Sequence, residues 1–328
     1  MKKVGKRIHR IYVFVSIAFL LCCLPSPVWA ADVYPNRPIN MIVPFAPGGG
    51  ADLGSKVMAD KISPFLGQPI LSIYKPGGSG SLGASLVAKA KPDGYTLLVG
   101  SLSPLLMAPI VKKLDYQLED FVFIALFGKG PIWLAVRTNA KWKDLRDFIR
   151  DAKASPGSLN VGSYGSLSVG HLMLEDLSKQ AKIKVNHVPF KSSGEAMTAL
   201  LGGHVDAAML MNASGQYESG EIRILAAAVD EKLDGLPEVP IFKDFGFNIV
   251  SNQWVGLCAP KATPKPIVDK LYDAHKKAFE RYPKELKESL RKVEYWTYFF
   301  GPEESMKKYK EEQVNLLRMA TDLGAVAK

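Results

Sequence analysis

The chain has 328 residues with a formal net charge of +10 at pH 7, and 47% of its residues are hydrophobic. This composition is ordinary for a globular protein, with no low-complexity tract and no clear internal repeat. Once the amino-terminal segment described next is set aside, about 300 residues remain, more than one compact core usually serves, so we expect two domains.

The first 30 residues have the pattern of a secretory signal peptide. Five basic residues precede an apolar run over residues 11–24, and the segment closes on Val28-Trp29-Ala30. Because this run is too short to span a hydrocarbon core of about 30 Å, we expect cleavage after Ala30, with a retained membrane anchor as the alternative. We therefore expect an exported protein.

The predicted cleavage changes the charge and the cysteine count. It removes five of the 42 basic residues, and the remaining 37 against 32 acidic residues indicate a mild preference for anions and no nucleic-acid signature. Cys22 and Cys23 leave with the segment, so no intrachain disulfide is expected. Cys258 remains in an apolar run, where a buried and inert thiol is expected.

The stretch from Ile39 to Leu53 is the first candidate for half of a binding site. A short β-rich apolar run enters a loop with Pro44, Pro47 and three consecutive glycines, and a helix follows. Such a loop leaves backbone N–H groups uncovered at the positive end of a helix dipole, so the main chain could hold an anion. The alternative is a tight turn that binds nothing.

The next elements alternate between helix and strand. A helix to Leu66, a strand at 69–73, a glycine-rich turn and helix from residue 76, and a strand at 95–100 predict a parallel sheet with right-handed crossovers. The turn contains Gly78-x-Gly80-x-x-Gly83, which matches the dinucleotide-binding fingerprint in form. We reject a dinucleotide site because no acidic residue ends the following strand.

A second domain is predicted to begin near residue 130. The apolar run over 121–137 is interrupted at 129–131, and a helix at 142–153 and a strand at 159–162 follow. The loop over 163–170 then opens another helix and is a second anion-ready helix amino terminus.

A third such place follows the predicted strand at 185–190. Ser192 and Glu195 match a capping box at the start of the next helix. Lys191, at the carboxyl end of the strand, could pair with a carboxylate or remain a solvated side chain.

The rest of the chain predicts a return to the first domain. Strands are expected at 205–212 and 222–229, and a return segment at 247–260 gives the second of two crossovers that form a hinge. A helical pattern over 266–291 is broken near Pro283, a β-rich stretch covers 293–300, and a last helix starts after Gly301. The expected domains are 1–30 as signal peptide, 31–129 with 251–328 as domain 1, and 130–250 as an inserted domain 2.

No catalytic or metal-binding constellation is visible. There is no Gly-x-Ser-x-Gly, no His-Glu-x-x-His, and no Cys or His cluster with metal spacing. Of the scattered histidines, His171 lies beside the second loop and could touch a ligand or be satisfied by its neighbours. Asp52 and Asp206 could orient a loop or a polar ligand. We expect no enzyme activity, no metal and no cofactor.

Taken in order, these loops resemble the Bug family, the periplasmic solute receptors of tripartite tricarboxylate transporters. The motifs that carry the resemblance span nearly the whole mature chain. They are Tyr34-Pro-Asn-Arg-Pro-Ile39, Val43-Pro-Phe-Ala-Pro-Gly-Gly-Gly-Ala-Asp52, Leu66-Gly-Gln-Pro69, Pro76-Gly-Gly-Ser-Gly80, Lys91-Pro-Asp-Gly-Tyr-Thr96, Gly162-Ser163, Val188-Pro-Phe-Lys191, Leu201-Gly-Gly-His-Val-Asp206 and Ala259-Pro-Lys-Ala-Thr-Pro-Lys-Pro266.

The resemblance implies an α/β, two-domain periplasmic binding protein fold of type II. Each domain would hold a mostly parallel sheet flanked by helices, with the ligand cleft between the domains. The implied function is to close on a small carboxylate, such as a dicarboxylate, tricarboxylate or aromatic acid, and to deliver it to two integral membrane subunits. Action as a monomer suits such a receptor.

The resemblance also places the candidate ligand-binding residues, to which we add His171 and Asp206. They are Phe45, Ala46, Gly48, Gly49, Gly50, Ala51, Asp52, Ser101, Ser163, Tyr164, Gly165, Ser166, His171, Lys191, Ser192, Ser193 and Asp206. This chain departs from the family pattern at Ala51, where a hydroxyl residue is usual, at Tyr164, which brings a bulky ring, and over 209–220. Two alternatives stay open: an exported enzyme acting on a small anion through Asp52, His171 or Lys191, and a ligand sensor for a membrane kinase.

Overall fold

The computed structural model describes residues 34–166 and 168–327 of the chain. The predicted signal peptide lies outside these residues. Within them the strands are β1 (Ile39–Val43), β2 (Ile70–Tyr74), β3 (Thr96–Gly100), β4 (Phe121–Gly130), β5 (Trp133–Arg137), β6 (Asn160–Ser163), β7 (Asn186–Pro189), β8 (Ala207–Leu210), β9 (Ile222–Ala227), β10 (Gln253–Pro260) and β11 (Trp296–Phe300).

Helices connect and cover these strands. They are α1 (Gly50–Leu66), α2 (Ser81–Ala88), α3 (Ala108–Val111), α4 (Leu145–Ala154), α5 (Val169–Ala181), α6 (Ser193–Leu201), α7 (Ser214–Glu218), α8 (Lys265–Arg281), α9 (Pro283–Lys292) and α10 (Pro302–Asp322). The predicted break near Pro283 is confirmed, because α8 ends at Arg281 and α9 begins at Pro283 itself. Each of these helices is too short or too polar to cross a lipid bilayer.

The strands form two sheets with a similar spatial arrangement. The first sheet is ordered β2-β1-β3-β10-β4-β11 and the second is ordered β7-β6-β8-β5-β9. In each sheet three parallel strands are followed by one antiparallel strand, β10 in the first sheet and β5 in the second. The strand beyond it, β4 or β9, runs parallel to the first three, so the predicted direction is confirmed for most strands.

The strand β10 carries the core of the first sheet. All eight of its residues are buried, and it pairs with β3 on one side and β4 on the other. A strand covered on both faces requires apolar side chains on both, which explains its continuous apolar sequence. At Gly256 the pairing shifts register, and a Cβ atom there would overlap the carbonyl oxygen of Ala125, so only glycine fits.

The chain passes between the sheets twice, after Gly130 and before Gln253. Two polar contacts lie at these passages. The amine of Lys129 is 3.3 Å from a carboxylate oxygen of Asp230, and the buried carboxylate of Glu294 accepts a 2.8 Å hydrogen bond from the indole of Trp133. Burial raises the pKa of Glu294. These bonds tie the first sheet to the start and end of the second.

Candidate functional site

A cleft of about 500 Å³ lies where the carboxyl ends of strands from both sheets meet. Its walls come from the loops that follow β1, β3, β6, β7 and β8, and from the first residue of β10. We call this space the inner cleft; its lining residues are Phe45, Ala46, Gly49, Gly50, Ala51, Asp52, Ser101, Ser103, Tyr164, Lys191, Ser192, Ser193, Met211 and Gln253.

The amino terminus of α1 opens into this cleft without a side-chain cap. Gly49 is the N-cap residue and has no side chain that could accept the amides of the first turn. By contrast, Ser168 caps α5 by accepting from the N–H of His171, and Ser192 caps α6 in the same way. The first-turn amides of α1, at Gly50, Ala51 and Asp52, are therefore available to an anion at the positive end of a 17-residue helix.

Asp52 holds the loop before α1 in place. Its buried carboxylate accepts from the N–H of Gly48 at 2.8 Å, from the amine of Lys56 at 3.1 Å and from the hydroxyl of Tyr74 at 3.1 Å. The hydrogen bonds that the Lys56 ammonium donates to Tyr74 and then to Asp52 raise the pKa of Lys56, so the ammonium persists beside the carboxylate. The negative charge of Asp52 is thus compensated inside the protein, and Gly48, with a φ of 86°, faces Asp52 through its amide.

Ser101, directly after β3, carries a buried hydroxyl with no hydrogen-bond partner among the described residues, and it lines the cleft. Tyr164, directly after β6, also lines the cleft, but its buried hydroxyl lies at the backbone amide of Gly170 in α5. Burial raises the pKa of Tyr164, so its hydroxyl remains a neutral donor. Buried polar groups are normally paired, and an unpaired hydroxyl in a cleft is suited to a ligand.

The start of α6 forms the opposite wall. The hydroxyl of Ser192 accepts from the N–H of Glu195 at 3.2 Å, as the sequence predicts, while the Glu195 carboxylate accepts from the N–H of Lys191. Ser193 is also engaged, because its hydroxyl accepts from the N–H of Met211 at 2.9 Å. The amine of Lys191 has no ion-pair partner in the described part of the chain and lines the cleft as its positive side chain.

Several predicted residues lie outside the inner cleft. Gly165 and Ser166 line a second, outer cavity together with the glycine-rich loop at 76–80. Ser163 is buried with its hydroxyl 2.7 Å from Nε2 of His187, and the ring of His171 stacks on that of His187 at 3.7 Å. Burial, and then the neighbouring His171, lower the pKa of His187 to about 4. The side chains of Ser163, His171 and His187 therefore contact one another and do not line the inner cleft.

Asp206 lies at the amino-terminal end of β8 and does not line the inner cleft. It precedes β8, and its carboxylate accepts a 2.8 Å hydrogen bond from the N–H of Asn160 at the start of β6. Four strand residues, about 13 Å of chain, separate it from Met211, which does line the cleft. Asp206 therefore anchors the start of two parallel strands.

Sequence reasoning missed Ser103, Met211 and Gln253. Ser103 comes shortly after the predicted strand at 95–100, so a wider window past each strand end would find it. Met211 was placed inside a strand expected to run to residue 212, whereas β8 ends at Leu210. Gln253 is different, because it begins β10 and reaches the cleft only because β10 runs antiparallel to β3. Among residues 34–166 and 168–327, no group of three His, Cys, Asp or Glu side chains is arranged to hold a metal ion.

Comparison with known proteins decides the family. The family model for the receptor of the tripartite tricarboxylate transporter family matches residues 55–320. The chain belongs to this receptor family. It is 35% identical over 291 residues to a UPF0065 protein of Cupriavidus necator, covering 88% of each chain, and 35% identical over 267 residues to BugT of Bordetella pertussis, covering 79% of this receptor and 81% of BugT.

Solved structures agree with the fold of this receptor. The periplasmic binding protein BugD matches with a TM-score of 0.83 and 26% identity, covering 90% of this receptor and 100% of BugD. MatC of Rhodopseudomonas palustris, solved with malate, gives 0.80 and 30%, covering 87% and 99%, and Rpa4515 of R. palustris, solved with adipate, gives 0.83 and 26%, covering 89% and 98%. The predicted family and the two-domain α/β binding-protein fold are confirmed.

Proposed function

We propose that this receptor is a periplasmic carboxylate-binding protein that holds the acid group of its ligand at the amino terminus of α1. The single observation that carries the proposal is the pairing of uncapped first-turn amides after Gly49 with the unpaired hydroxyl of Ser101 in one cleft. Amides and a hydroxyl supply the donors that a carboxylate needs, and the helix dipole favours its charge. The related proteins solved with malate and adipate support a carboxylate as the ligand.

The charges around the cleft agree with an anionic ligand. Asp52 is the acidic residue of the lining, and its carboxylate is compensated by Lys56. Lys191 on the opposite wall has no such partner, so the cleft has a positive balance. A carboxylate would enter with its charge facing α1 and Lys191.

The proposed domains follow the two sheets. Residues 31–129 with 251–328 would form one domain and 130–250 the other, with the ligand between them and the passages near Gly130 and Gln253 as the hinge. Residues 1–30 would be removed on export to the periplasm. The loaded monomer would then deliver its acid to two integral membrane subunits of a tripartite tricarboxylate transporter, without changing it chemically.

The test is a ligand screen on protein that has been denatured and refolded to remove any bound compound. Dicarboxylates, tricarboxylates and aromatic acids are compared with neutral amides of the same skeletons by thermal shift. A ligand at about 100 times its Kd adds roughly 2.7 kcal/mol to the free energy of unfolding, which shifts the Tm by a few degrees. A shift with an acid and not with its amide supports the proposal, and a shift with neutral compounds alone contradicts it.

A further inference from the structure

The loop at 211–214, which follows β8, connects two walls of the inner cleft. Met211 lines the cleft, and its N–H donates a 2.9 Å hydrogen bond to the hydroxyl of Ser193 at the start of α6, on the wall opposite α1. Asn212 reaches the other wall, because a Cβ atom on Gly50, in the first turn of α1, would lie 2.8 Å from its Oδ1 atom. The position of this loop therefore helps to set the distance between the two walls.

Glu294, in the turn between α9 and β11, holds this loop. Its carboxylate is buried, and one oxygen accepts from the N–H of Ser214 while the other accepts from the indole of Trp133 at 2.8 Å. Beside it, the carbonyl oxygen of Val293 accepts from the side-chain amide of Asn212 at 3.3 Å. A turn next to the first sheet thus binds the end of a loop of the second sheet.

The turn that carries Glu294 is itself fixed to α1. The next residue, Tyr295, is 2% exposed, and its ring fills a slot between α1 and the end of β4. Glycines leave room for it on both elements. A Cβ atom on Gly54 would lie 2.8 Å from the ring, and one on Gly128 would lie 3.0 Å from the Cβ atom of Tyr295. Because this packing is tight, the ring cannot shift without displacing α1, and Glu294 keeps its place relative to that helix.

The conformation of Glu294 is imposed by these contacts. Its φ of 64° lies in the left-handed region, which residues other than glycine seldom adopt. Burial raises the pKa of its carboxyl because it disfavours the charged form. A buried carboxyl on a strained backbone costs stability, and such costs are typical of residues that serve a functional site.

We propose that Glu294 is a positioning residue for ligand binding. It holds the loop of Met211 and Asn212 against the first turn of α1, so that the α6 wall stays at the distance from the α1 amides at which the ligand binds. This inference rests on the proposed function, which places the acid group of the ligand at those amides.

The test uses Glu294→Gln. Glutamine has nearly the volume of glutamate but replaces one acceptor oxygen with an NH2 group, which must face either the Ser214 N–H or the Trp133 indole, donor against donor. The substitution therefore releases one of the two bonds that hold the loop.

Ser305→Ala is the matched control. The buried Ser305 hydroxyl accepts from the N–H of Leu126 and donates to the carbonyl oxygen of Phe300, away from the cleft, so its loss also removes buried hydrogen bonds and stability. Two quantities are measured on each protein well below its Tm. They are the calorimetric affinity for the best acid of the screen and the ¹³C-methyl resonance of Met211, assigned with a Met211→Leu sample.

We expect Glu294→Gln to weaken the affinity about tenfold and to shift the Met211 resonance, while Ser305→Ala leaves the affinity within about twofold and the resonance in place. Unchanged affinity in Glu294→Gln, or equal losses in both variants, would overturn the inference and leave the proposed function standing. Should Glu294→Gln not fold, Asn212→Ala, which removes the other bond to the turn, replaces it, with a loss of about threefold expected and unchanged affinity overturning the inference.

If no acid binds the wild type, the proposed function fails, and the Met211 resonance alone decides. A shift in Glu294→Gln would then support the positioning of the loop, and an unchanged resonance would overturn it.

Discussion

The hydroxyl of Ser79 donates a 2.9 Å hydrogen bond to the backbone carbonyl oxygen of Ser166. Ser79 lies in the loop between β2 and α2, and Ser166 lies in the loop after β6 of the second sheet. Both residues line the outer cavity, so this bond joins two of its walls. Ser79 adopts a φ of 58°, in the left-handed region, to direct its hydroxyl there. The bond can form only while the loops that carry Ser79 and Ser166 lie against each other.

Replacing Ser79 should weaken ligand binding without harming the fold. Ser79→Gly suits the positive φ and removes only the hydroxyl, so we expect an unchanged or slightly higher Tm. Loss of one hydrogen bond should weaken the affinity for the best acid of the screen about two- to tenfold, measured by calorimetric titration. Ser81→Ala, at the start of α2, is the nearby control; an equal loss in both variants would contradict a specific role for the bond.

Ser101 is predicted to serve the ligand and not the fold. Its buried hydroxyl has no partner among the described residues, so Ser101→Ala should leave the Tm unchanged or raise it. A hydrogen bond to a carboxylate should be lost with it, and we expect affinity to fall at least tenfold. Chemical denaturation measures the stability of the variant, and calorimetric titration of the same preparation measures its affinity. A lower stability with intact affinity would assign Ser101 to the fold.

Glu312 should make stability depend on pH near neutrality. Burial raises the pKa of this carboxyl to about 7, although hydrogen bonds from Asn252 oppose the shift. The folded protein therefore holds a proton that the unfolded chain releases near pH 4.5, and the stability contributed by the protonated form is lost as pH rises through 7. Glu312→Gln keeps the neutral form and should add roughly 3 kcal/mol to the free energy of unfolding at pH 8.

The matched measurement for Glu312 is urea unfolding at pH 5 and pH 8. The variant and wild type should differ much less at pH 5, where the wild-type carboxyl is protonated in the fold. Parallel curves for the two proteins across this range would show that Glu312 does not titrate as described.

The His187 side chain should act with the opposite sign. Its pKa, lowered to about 4 by burial and by His171, means that the fold binds fewer protons than the unfolded chain between about pH 6.5 and 4. Stability should therefore fall as pH falls through this window. His187→Gln can keep the contact to Ser163 and should reduce the loss of stability at low pH. The reduction should be partial, because burial also lowers the pKa of His275 to about 4. Wild type and His204→Gln, a variant of an exposed histidine, should show the same steeper slope.

Much of the fold could be predicted because the local signals agree with each other. Proline marks the break at Pro283 and the start of α10, and Ser192 with Glu195 marks the start of α6. The alternation of strand and helix fixes which loops lie at the carboxyl ends of strands. The loops of Gly49 and Ser101 therefore share one edge of the first sheet, and the loop of Lys191 lies at the corresponding edge of the second.

The differences between the predicted and observed positions of some residues have physical causes that the sequence alone does not show. The sequence pattern does not give strand direction, so the position of Gln253 at the cleft was missed. The sequence places Asp206 beside a strand but does not show at which end of the sheet its carboxylate makes contacts. In the structure the carboxylate accepts from the N–H of Asn160 at the amino end of β6, away from the cleft. His171 is the third residue of α5 and stacks on His187, a contact that depends on packing between α5 and β7 and that sequence periodicity cannot predict.

The most direct test of a carboxylate site at α1 is a comparison of Gly49→Asp with Gly49→Ala. Gly49 has a φ of −77° and room for a Cβ atom, so both variants should fold. Aspartate is a preferred N-cap, and its carboxylate would occupy the amides that we assign to the ligand. We expect Gly49→Asp to have an equal or higher Tm and to lose binding of the best acid of the screen by at least about 100-fold, while Gly49→Ala binds within a few fold of wild type. Unchanged affinity in Gly49→Asp would show that the ligand's acid group does not bind these amides.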